Sequence, residues 1–308
     1  MTAKVILNPY AGRWLALKRK AEVELALKHA NIDYELELTE RPGHGIELAS
    51  LSVDQGYSPI ISAGGDGSVS EVVNGMVRAV ETTGKELTIP FGVMPLGTAN
   101  DFVNNLGLPK DLKTAAQVIA SGKTKSLDLG HVSTTNPGES RYFDNNAAIG
   151  LEPYITLIQQ RITRLRGTLR YLVATLIGIR DNPQWRMKLT WEGGEYQGPI
   201  TLVTVGNSPR TGGLFYMTPK ANPFDGMLTF VYGFMPTRLK ILQLLPKTMK
   251  SGEGSYVEHP SIHQVNSPWL KVVTENATPA HADGEIIAEA TKQVEYRVYP
   301  GKLQLITP

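Results

Sequence analysis

The chain is 308 residues long, carries a formal net charge of +2 and contains no cysteine. That length can bury a substantial core and suggests about two domains. The missing cysteines exclude disulfides, thiolate catalysis and Cys-ligated metals, and fit a reducing, cytoplasmic compartment. Lysine and arginine are spread along the chain without a long basic run, so nucleic acid is not an expected partner.

The N-terminal "MTAKVILNPY" has too short an apolar run for a signal peptide. The longest apolar stretch, "YLVATLIGI", falls far below the roughly 20 residues that a bilayer requires. The first third alternates strand and helix patterns: "KVILN" as strand, residues 14 to 30 as helix, "YELELT" as strand, 44 to 55 as helix, "PIISA" as strand, 69 to 81 as helix, and "IPFGVMP" as strand. Such alternation predicts helices layered on a mostly parallel sheet, an α/β domain. After Asp128 the texture changes to short alternating segments, among them "RMKLTWE", "ITLVTVGN", "MLTFVYGF" and "VEYRVYP", with helical stretches near 153 to 180 and 236 to 250. Period-two alternation punctuated by Gly and Pro predicts a mainly antiparallel β-sandwich domain, with the boundary near residue 127.

Two strand-to-helix loops hold most of the chemistry. "GGDGS", 64 to 68, places three glycines around Asp66 before an apolar stripe of Val69, Val72, Val73, Met76, Val77 and Val80 at helical spacing. Ser68 and Glu71 have the spacing of a capping box, which predicts the helix start there. The loop offers backbone N–H groups and a helix N-terminus to phosphate oxygens. An aspartate beside phosphate makes sense when a divalent cation bridges the two, and a plain tight turn explains the same residues. "FGVMPLGTANDF" repeats the design, with Thr98 and Asp101 spaced as cap and N3 acid. Loops from successive parallel strands open on one sheet edge, so both could line one crevice. Ordinary helix capping is the alternative for the second.

"GGDGS" at 64 to 68, "PLGTANDF" at 95 to 102 and "HADGE" at 281 to 285 resemble the diacylglycerol kinase catalytic family, and within it the soluble bacterial lipid kinases of the DgkB, YegS and BmrU type. "NPYAG" at 8 to 12, "TERPGHG" at 39 to 45, "LDLG" at 127 to 130 and "TPKANPFDGML" at 218 to 228 follow the same pattern, in order, over nearly the whole chain. The resemblance implies a three-layer, NAD kinase-like nucleotide domain, residues 1–127 with a returning C-terminal strand at about 294–308, and a β-sandwich lipid-substrate domain, 128–293. It implies an ATP- and Mg2+-dependent lipid kinase of phospholipid metabolism, which transfers the γ-phosphoryl group to a hydroxyl of a diacylglycerol-like lipid at the inner face of the membrane. The family often dimerises.

By the same resemblance, ATP is contacted by Asn8, Thr39, Gly64, Gly65, Asp66, Gly67, Ser68, Glu71, Thr98, Asn100 and Asp101, with Asp66 near magnesium. Glu285 is implied as general base with Asp283 beside it. A lipid hydroxyl is a poor nucleophile near neutral pH, so a carboxylate within reach can take its proton as phosphoryl transfer proceeds. A solvated Asp-Gly hairpin turn is the other reading of the same residues. The pattern also suggests a second, structural magnesium at Asp225, with carbonyl oxygens from Asn222 and Met227; a plain Asp-Gly turn accounts for this stretch too. Asp128 is implied near the catalytic metal, or simply caps the domain link.

The chain departs from its relatives at Ala11 and Arg13, where many carry Ser and Lys, and at Ser68 and Val103, where Thr and Ala are common. The role of Arg13 is therefore open. The stretch "RITRLRGTLRYLVATLIGIR", 161 to 180, interleaves Arg164, Arg166 and Arg170 with apolar residues. It reads either as an interfacial helix on anionic lipid or as a buried helix with snorkelling arginines. An NAD kinase-like enzyme, sharing the "GGDG" turn, and a non-catalytic nucleotide- or lipid-binding regulator are the competing functions.

Overall fold

The computed structural model describes every residue except Pro137 and Arg166, and beyond these every side chain except those of Thr82, Thr83 and Thr168. Arg166, one of the arginines singled out above, thus lies outside the described residues. The chain divides into two units, Met1–Leu129 with Pro300–Pro308, and Gly130–Tyr299.

In chain order the first unit holds β1 (Ala3–Leu7), a turn α1 (Ala11–Trp14), α2 (Lys20–His29), β2 (Tyr34–Leu38), α3 (His44–Asp54), β3 (Ile60–Gly64), α4 (Asp66–Thr83), β4 (Pro90–Pro95), α5 (Asp101–Asn105) and α6 (Leu112–Ser121). Strands β1 to β4 pair in parallel in the order β4-β3-β1-β2. β1 and β3 are buried along their whole length, as a parallel sheet covered on both faces requires. Ala3, Val5, Leu7, Ile61, Ala63 and Met94 form one face, packed against Val23 and Leu27 of α2 and Ala116 and Ile119 of α6, while α3 and α4 pack together. Because β2 and β3 flank β1 on opposite sides, the chain reverses its winding between β1 and β3. A crevice at the carboxyl ends of those two strands follows from that reversal.

The helix expected over 14 to 30 starts properly only at Lys20, because Gly12, Arg13 and Trp14 all take positive φ and break the pattern before it. The helix expected from 69 starts at Asp66. The Ser68–Glu71 capping box does not form: the N-cap is Gly65, with no side-chain cap, and Ser68 lies within the first turn. Thr98 caps nothing either, since α5 follows the left-handed Asn100.

The second unit contains the last part of β5 (Thr124–Thr134), from Gly130 on, then β6 (Ser140–Phe143), β7 (Asn146–Gly150), α7 (Leu151–Arg161), α8 (Gly167–Asp181), β8 (Trp185–Trp191), β9 (Gly194–Ile200), β10 (Leu202–Gly206), β11 (Leu228–Gly233), α9 (Arg238–Leu244), β12 (Ile262–Ser267), β13 (Trp269–Ala282) and β14 (Glu285–Ile306). β5 enters it from the first unit, and the last residues of β14 return to the first unit, where Gln304 and Leu305 pair in parallel with Pro90 and Phe91 of β4. The single helical stretch expected near 153 to 180 is two helices.

The strands pair antiparallel in the order β12-β11-β10-β7-β13-β14, with β8, and beyond it β9, on the same edge of β13 as β7. β13 makes the corner. Residues 270–274 pair with β8, residues 280–282 pair with β7, and register shifts lie between them. Bulges of this kind let one strand serve two layers. Met187 and Leu189 of one layer and Val203, Val205 and Phe230 of the other share one core, which makes the unit a sandwich.

Candidate active site

Three loops meet at the carboxyl ends of β1, β3 and β4. After β1, the Asn8 side chain accepts the N–H of Tyr10 at 3.0 Å and donates to Ser68 Oγ at 2.9 Å, tying this loop to the start of α4. Gly12 has φ 59°, and a Cβ there would stand 2.4 Å from the carbonyl oxygen of Leu96. A Cβ on Gly97 would stand 2.5 Å from Gly65 Cα. The loops after β3 and β4 therefore touch backbone to backbone, which only glycine permits. Gly67, by contrast, faces open space.

Asp66 opens α4, and its Oδ1 accepts the N–H of Phe102 at 3.0 Å. Asn100, at φ 47°, folds the loop back by donating to the carbonyl of Gly97 at 3.1 Å. Asp101 is buried and Thr98 is exposed. Thr39 is buried at the end of β2 and donates its N–H to the carbonyl of Leu7 at 2.9 Å. The first N–H groups of a helix as long as α4 have no intrahelical acceptor. They attract anions, so the cradle suits phosphate oxygens.

Glu71 points elsewhere. Its two oxygens accept the N–H groups of Gly43 at 2.8 Å and Gly45 at 3.0 Å, holding the start of α3. Asp128 is buried and accepts the N–H of Gly301 at 2.7 Å, which fastens the returning strand. Arg13 stands in the left-handed region beside Gly12. Among the described residues no group of three His, Asp or Glu side chains could hold a metal ion. Any divalent ion would rest on one or two carboxylates, and Mg2+ often binds that way, with substrate phosphates supplying the rest.

In the second unit Asp283 (φ 46°) and Gly284 (φ 80°) form the two-residue turn between β13 and β14, with Ala282 paired to Glu285. Asp-Gly suits this turn because both residues tolerate positive φ. The turn is also docked. Asp283 Oδ1 accepts the N–H groups of Asn145 and Asn146, and Oδ2 accepts that of Asp144, each at 3.1 Å. The N–H of Asp283 returns a bond to the carbonyl of Asn146 at 2.8 Å. Burial pushes the Asp283 carboxyl above the ordinary aspartate value, against the pull of these amides and of Arg141. Glu285, the first residue of β14, is exposed. Asp144, Asn145 and Asn146 went unnoticed in the sequence because nothing in "FDNNAA" announces a distant partner. In the loop before β11, Asp225 accepts the N–H of Met227 at 3.0 Å, an Asx turn with Asn222 just upstream.

An apolar cavity opens in the same unit, with about 760 Å3 of space unfilled by atoms, its mouth included. Ile155 of α7, Tyr171 and Ile179 of α8, Leu244 of α9 and Met235 are in its wall. Glu152 also lines it, and among the described residues no other lining side chain is charged. Its Oε1 accepts from Asn146 Nδ2 at 2.9 Å and lies 3.3 Å from His281 Nε2. Burial raises the Glu152 carboxyl, yet His281, Asn146 and Thr204 together hold it below the usual glutamate value. Burial, and then the Glu152 charge, raise the Tyr171 and Tyr256 hydroxyls. In the sequence Glu152 reads only as an acid in the first turn of a helix.

Residues 2–132 match the family model of the diacylglycerol kinase catalytic domain, and residues 145–307 that of the YegS C-terminal NAD kinase β-sandwich-like domain. A diacylglycerol kinase of Mycobacterium tuberculosis is 28% identical over 309 residues, covering 98% of this chain and 94% of that protein. A "Probable lipid kinase YegS-like" of Chromohalobacter salexigens is 28% identical over 307 residues, covering 99% and 92%. A crystal structure of a diacylglycerol kinase from Bacillus anthracis shares the fold, with a TM-score of 0.73 at 21% identity, covering 100% of this chain and 97% of that one.

Proposed function

This chain belongs to the diacylglycerol kinase catalytic family and is a lipid kinase, and from that premise we propose how its residues divide the work. The family models and the named relatives are of the lipid-kinase kind, which favours this reading over the NAD kinase one.

ATP is the phosphoryl donor. Its phosphates rest on the N-terminus of α4 and on the backbone of residues 64–68 and 97–100, with Asn8 and Thr39 at the edge of the cradle. Asp66 holds Mg2+, with Asp128 and Asp101 in the acidic surroundings. When bound, the ion neutralises phosphate charge and fixes the phosphate orientation. Glu71, whose carboxylate is bonded to α3, supports the cradle by holding that helix. A second Mg2+ at Asp225, with carbonyl oxygens of Asn222 and Met227, belongs to the same proposal as a structural ion.

The hairpin turn carries the assignment of the base. Three amides occupy the Asp283 carboxylate, while the neighbouring Glu285 is exposed. Glu285 takes the proton of the acceptor hydroxyl, and Asp283 is the positioning residue that holds the turn. The hydrocarbon tail of the acceptor enters the apolar cavity.

Leu169, Leu172 and Leu176 are exposed along one side of α8, and Leu239 and Leu242 are exposed on α9. Other residues of the same helices, Tyr171, Ile179 and Leu244, line the cavity. Exposed leucines on the helices of an apolar cavity, with Arg170, Arg180, Arg238 and Lys240 among them, suit an anionic lipid surface. The enzyme meets its substrate there as a peripheral visitor; among the described residues no helix is long and apolar enough to cross a membrane.

The test is mass-spectrometric detection of ATP-dependent phosphorylation over a mixed-micelle lipid panel that also includes NAD. Asp66→Ala and Glu285→Gln are run in parallel. A phosphorylated lipid that both substitutions abolish is the expected result. Phosphorylated NAD alone would overturn the reading.

A further inference from the structure

Tyr171 of α8 and Phe215 of the loop after β10 meet ring to ring at 5.5 Å, half-buried, in the wall of the apolar cavity. Behind them the lining is buried, with Ile155, Thr175, Ile179 and Met235 among it. That wall is pinned on several sides. α7 and α8 approach so closely that a Cβ on Gly178 would stand 2.7 Å from Ile155 Cγ1. The loop carrying Phe215 is tied to the helical turn 245–249 by the N–H of Tyr216, which donates to the carbonyl of Thr248 at 2.7 Å. The Tyr256 hydroxyl donates to the carbonyl of Met217 in the same loop, and the N–H of Met235 donates to Thr201 Oγ1 at 2.8 Å. Widening the cavity would disturb these contacts together, and a packed interior resists that.

The unfilled space of about 760 Å3 includes the mouth, so it is a ceiling on what the cavity can take. A methylene occupies roughly the 30 Å3 that a water occupies in the liquid, which puts one sixteen-carbon chain at about 500 Å3 and two at about 1000 Å3. One such chain fits beneath the ceiling, and two do not. The other side of α8 is apolar as well: Leu169, Leu172 and Leu176, three and four residues apart, are exposed, whereas Thr175 and Ile179 of the same helix are buried in the cavity wall.

We propose that the enzyme holds its acceptor by a single hydrocarbon chain, drawn into the cavity past Tyr171 and Phe215. The second chain of a two-chain acceptor stays in the bilayer, against Leu169, Leu172 and Leu176. The inference rests on the lipid-kinase reading and on the cavity as the tail site. A chain that leaves a bilayer for an apolar cavity exchanges one apolar surrounding for another, so inserting a second chain gains little hydrophobic free energy. Nothing then offsets the overpacking that it would force on the pinned wall. The bulk of the inserted chain is therefore selected, and that of the outer chain is not.

The test offers the native protein dipalmitoylglycerol, the two isomers in which one palmitoyl chain ends in an adamantyl cage, and the lipid in which both chains do, at equal mole fraction in mixed micelles. Bound lipid is quantified by native mass spectrometry, and turnover with ATP and Mg2+ is measured separately. Dipalmitoylglycerol and at least one singly caged isomer are expected to bind alike, and the doubly caged lipid about tenfold or more weakly. Loss of both singly caged isomers to the level of the doubly caged lipid would mean that both chains enter, and overturns the proposal. Equal binding of all four, or of none, overturns it together with the tail site. Thr175→Phe, which fills the space from α8, is expected to lose the linear and singly caged lipids alike. Undiminished binding in the folded variant overturns the proposal, and the native series decides it whether or not the variant folds. The expected binding order without turnover of any lipid supports the single-chain assignment and counts against the kinase reading instead.

Discussion

Asp66 Oδ1 accepts the backbone N–H of Phe102 at 3.0 Å, so the aspartate that opens α4 also holds the start of α5. Two roles meet in one carboxylate, and substitutions separate them. Asp66→Asn keeps an oxygen for Phe102 and is expected to unfold within about 0.5 kcal/mol of native protein. Asp66→Ala loses the cap and about 1 kcal/mol. Both are expected to lose phosphoryl transfer by about a hundredfold or more. Urea denaturation beside a turnover assay checks this; native turnover in Asp66→Asn would reduce the residue to a structural part.

The Asp283–Glu285 turn makes an opposite pair of predictions. Glu285 is exposed, so Glu285→Gln is expected to leave the melting temperature unchanged while kcat falls about 10²- to 10⁴-fold. Asp283→Asn gives up a carboxylate oxygen that accepts a buried amide, at a cost of about 1–3 kcal/mol. Its kcat falls together with its unfolding free energy, whereas Glu285→Gln loses kcat alone. A loss of stability in Glu285→Gln and none in Asp283→Asn would exchange their roles.

Two glycines of the cradle are expected to behave differently. Gly97→Ala drives a Cβ to 2.5 Å from Gly65 Cα, which forces the loops apart and costs about 1–3 kcal/mol. Gly67→Ala meets nothing within 4 Å and is expected to be neutral, or to stabilise by up to about 1 kcal/mol. If phosphate lies against Gly67, that variant nonetheless binds ATP about tenfold more weakly. Calorimetric ATP titration of Gly67→Ala decides it, and unchanged affinity would move the phosphates elsewhere.

Glu152 predicts an acid dependence of stability. Burial pushes its carboxyl up, but His281, Asn146 and Thr204 prevail and hold it below 4.5. A carboxylate with a depressed folded-state value contributes stability above the unfolded-state value and loses it as pH falls through the folded one. The stability difference between native protein and Glu152→Gln is therefore expected to shrink as pH falls below 4.5. Urea unfolding of both proteins from neutral to acid pH measures it. A difference that grows in acid would reverse the sign of the coupling.

The leucines of α8 supply the last test. Leu172→Glu with Leu176→Glu places two charges on the exposed side of the helix and is expected to weaken sedimentation with anionic vesicles about tenfold or more. Turnover of a monomeric short-chain acceptor is expected to persist. Unchanged sedimentation would remove this face from membrane docking.

Much of the architecture was legible because it is local. Period-two and helical patterns reported the parallel α/β layers and the antiparallel strands, and Asp283-Gly284 was readable as a hairpin because two adjacent residues must take positive φ. The loops after β3 and β4 were legible as lining one crevice, and Gly65 and Gly97 are where their backbones meet; the place of that crevice between β1 and β3 came only with the strand order. What each polar side chain does at those places was a different matter. Ser68 and Glu71 have the spacing of a cap, yet Ser68 bonds Asn8, 60 residues away, and Glu71 bonds Gly43 and Gly45. Asp283 reaches Asn146, 137 residues back, and Glu152 turns into a cavity whose walls come from three helices and the strands behind them. Propensity, periodicity and turn geometry act over a few residues and are written into the sequence by itself. The partner of a carboxylate is whichever donor the crossovers and sheet register bring beside it, and only the tertiary structure decides that.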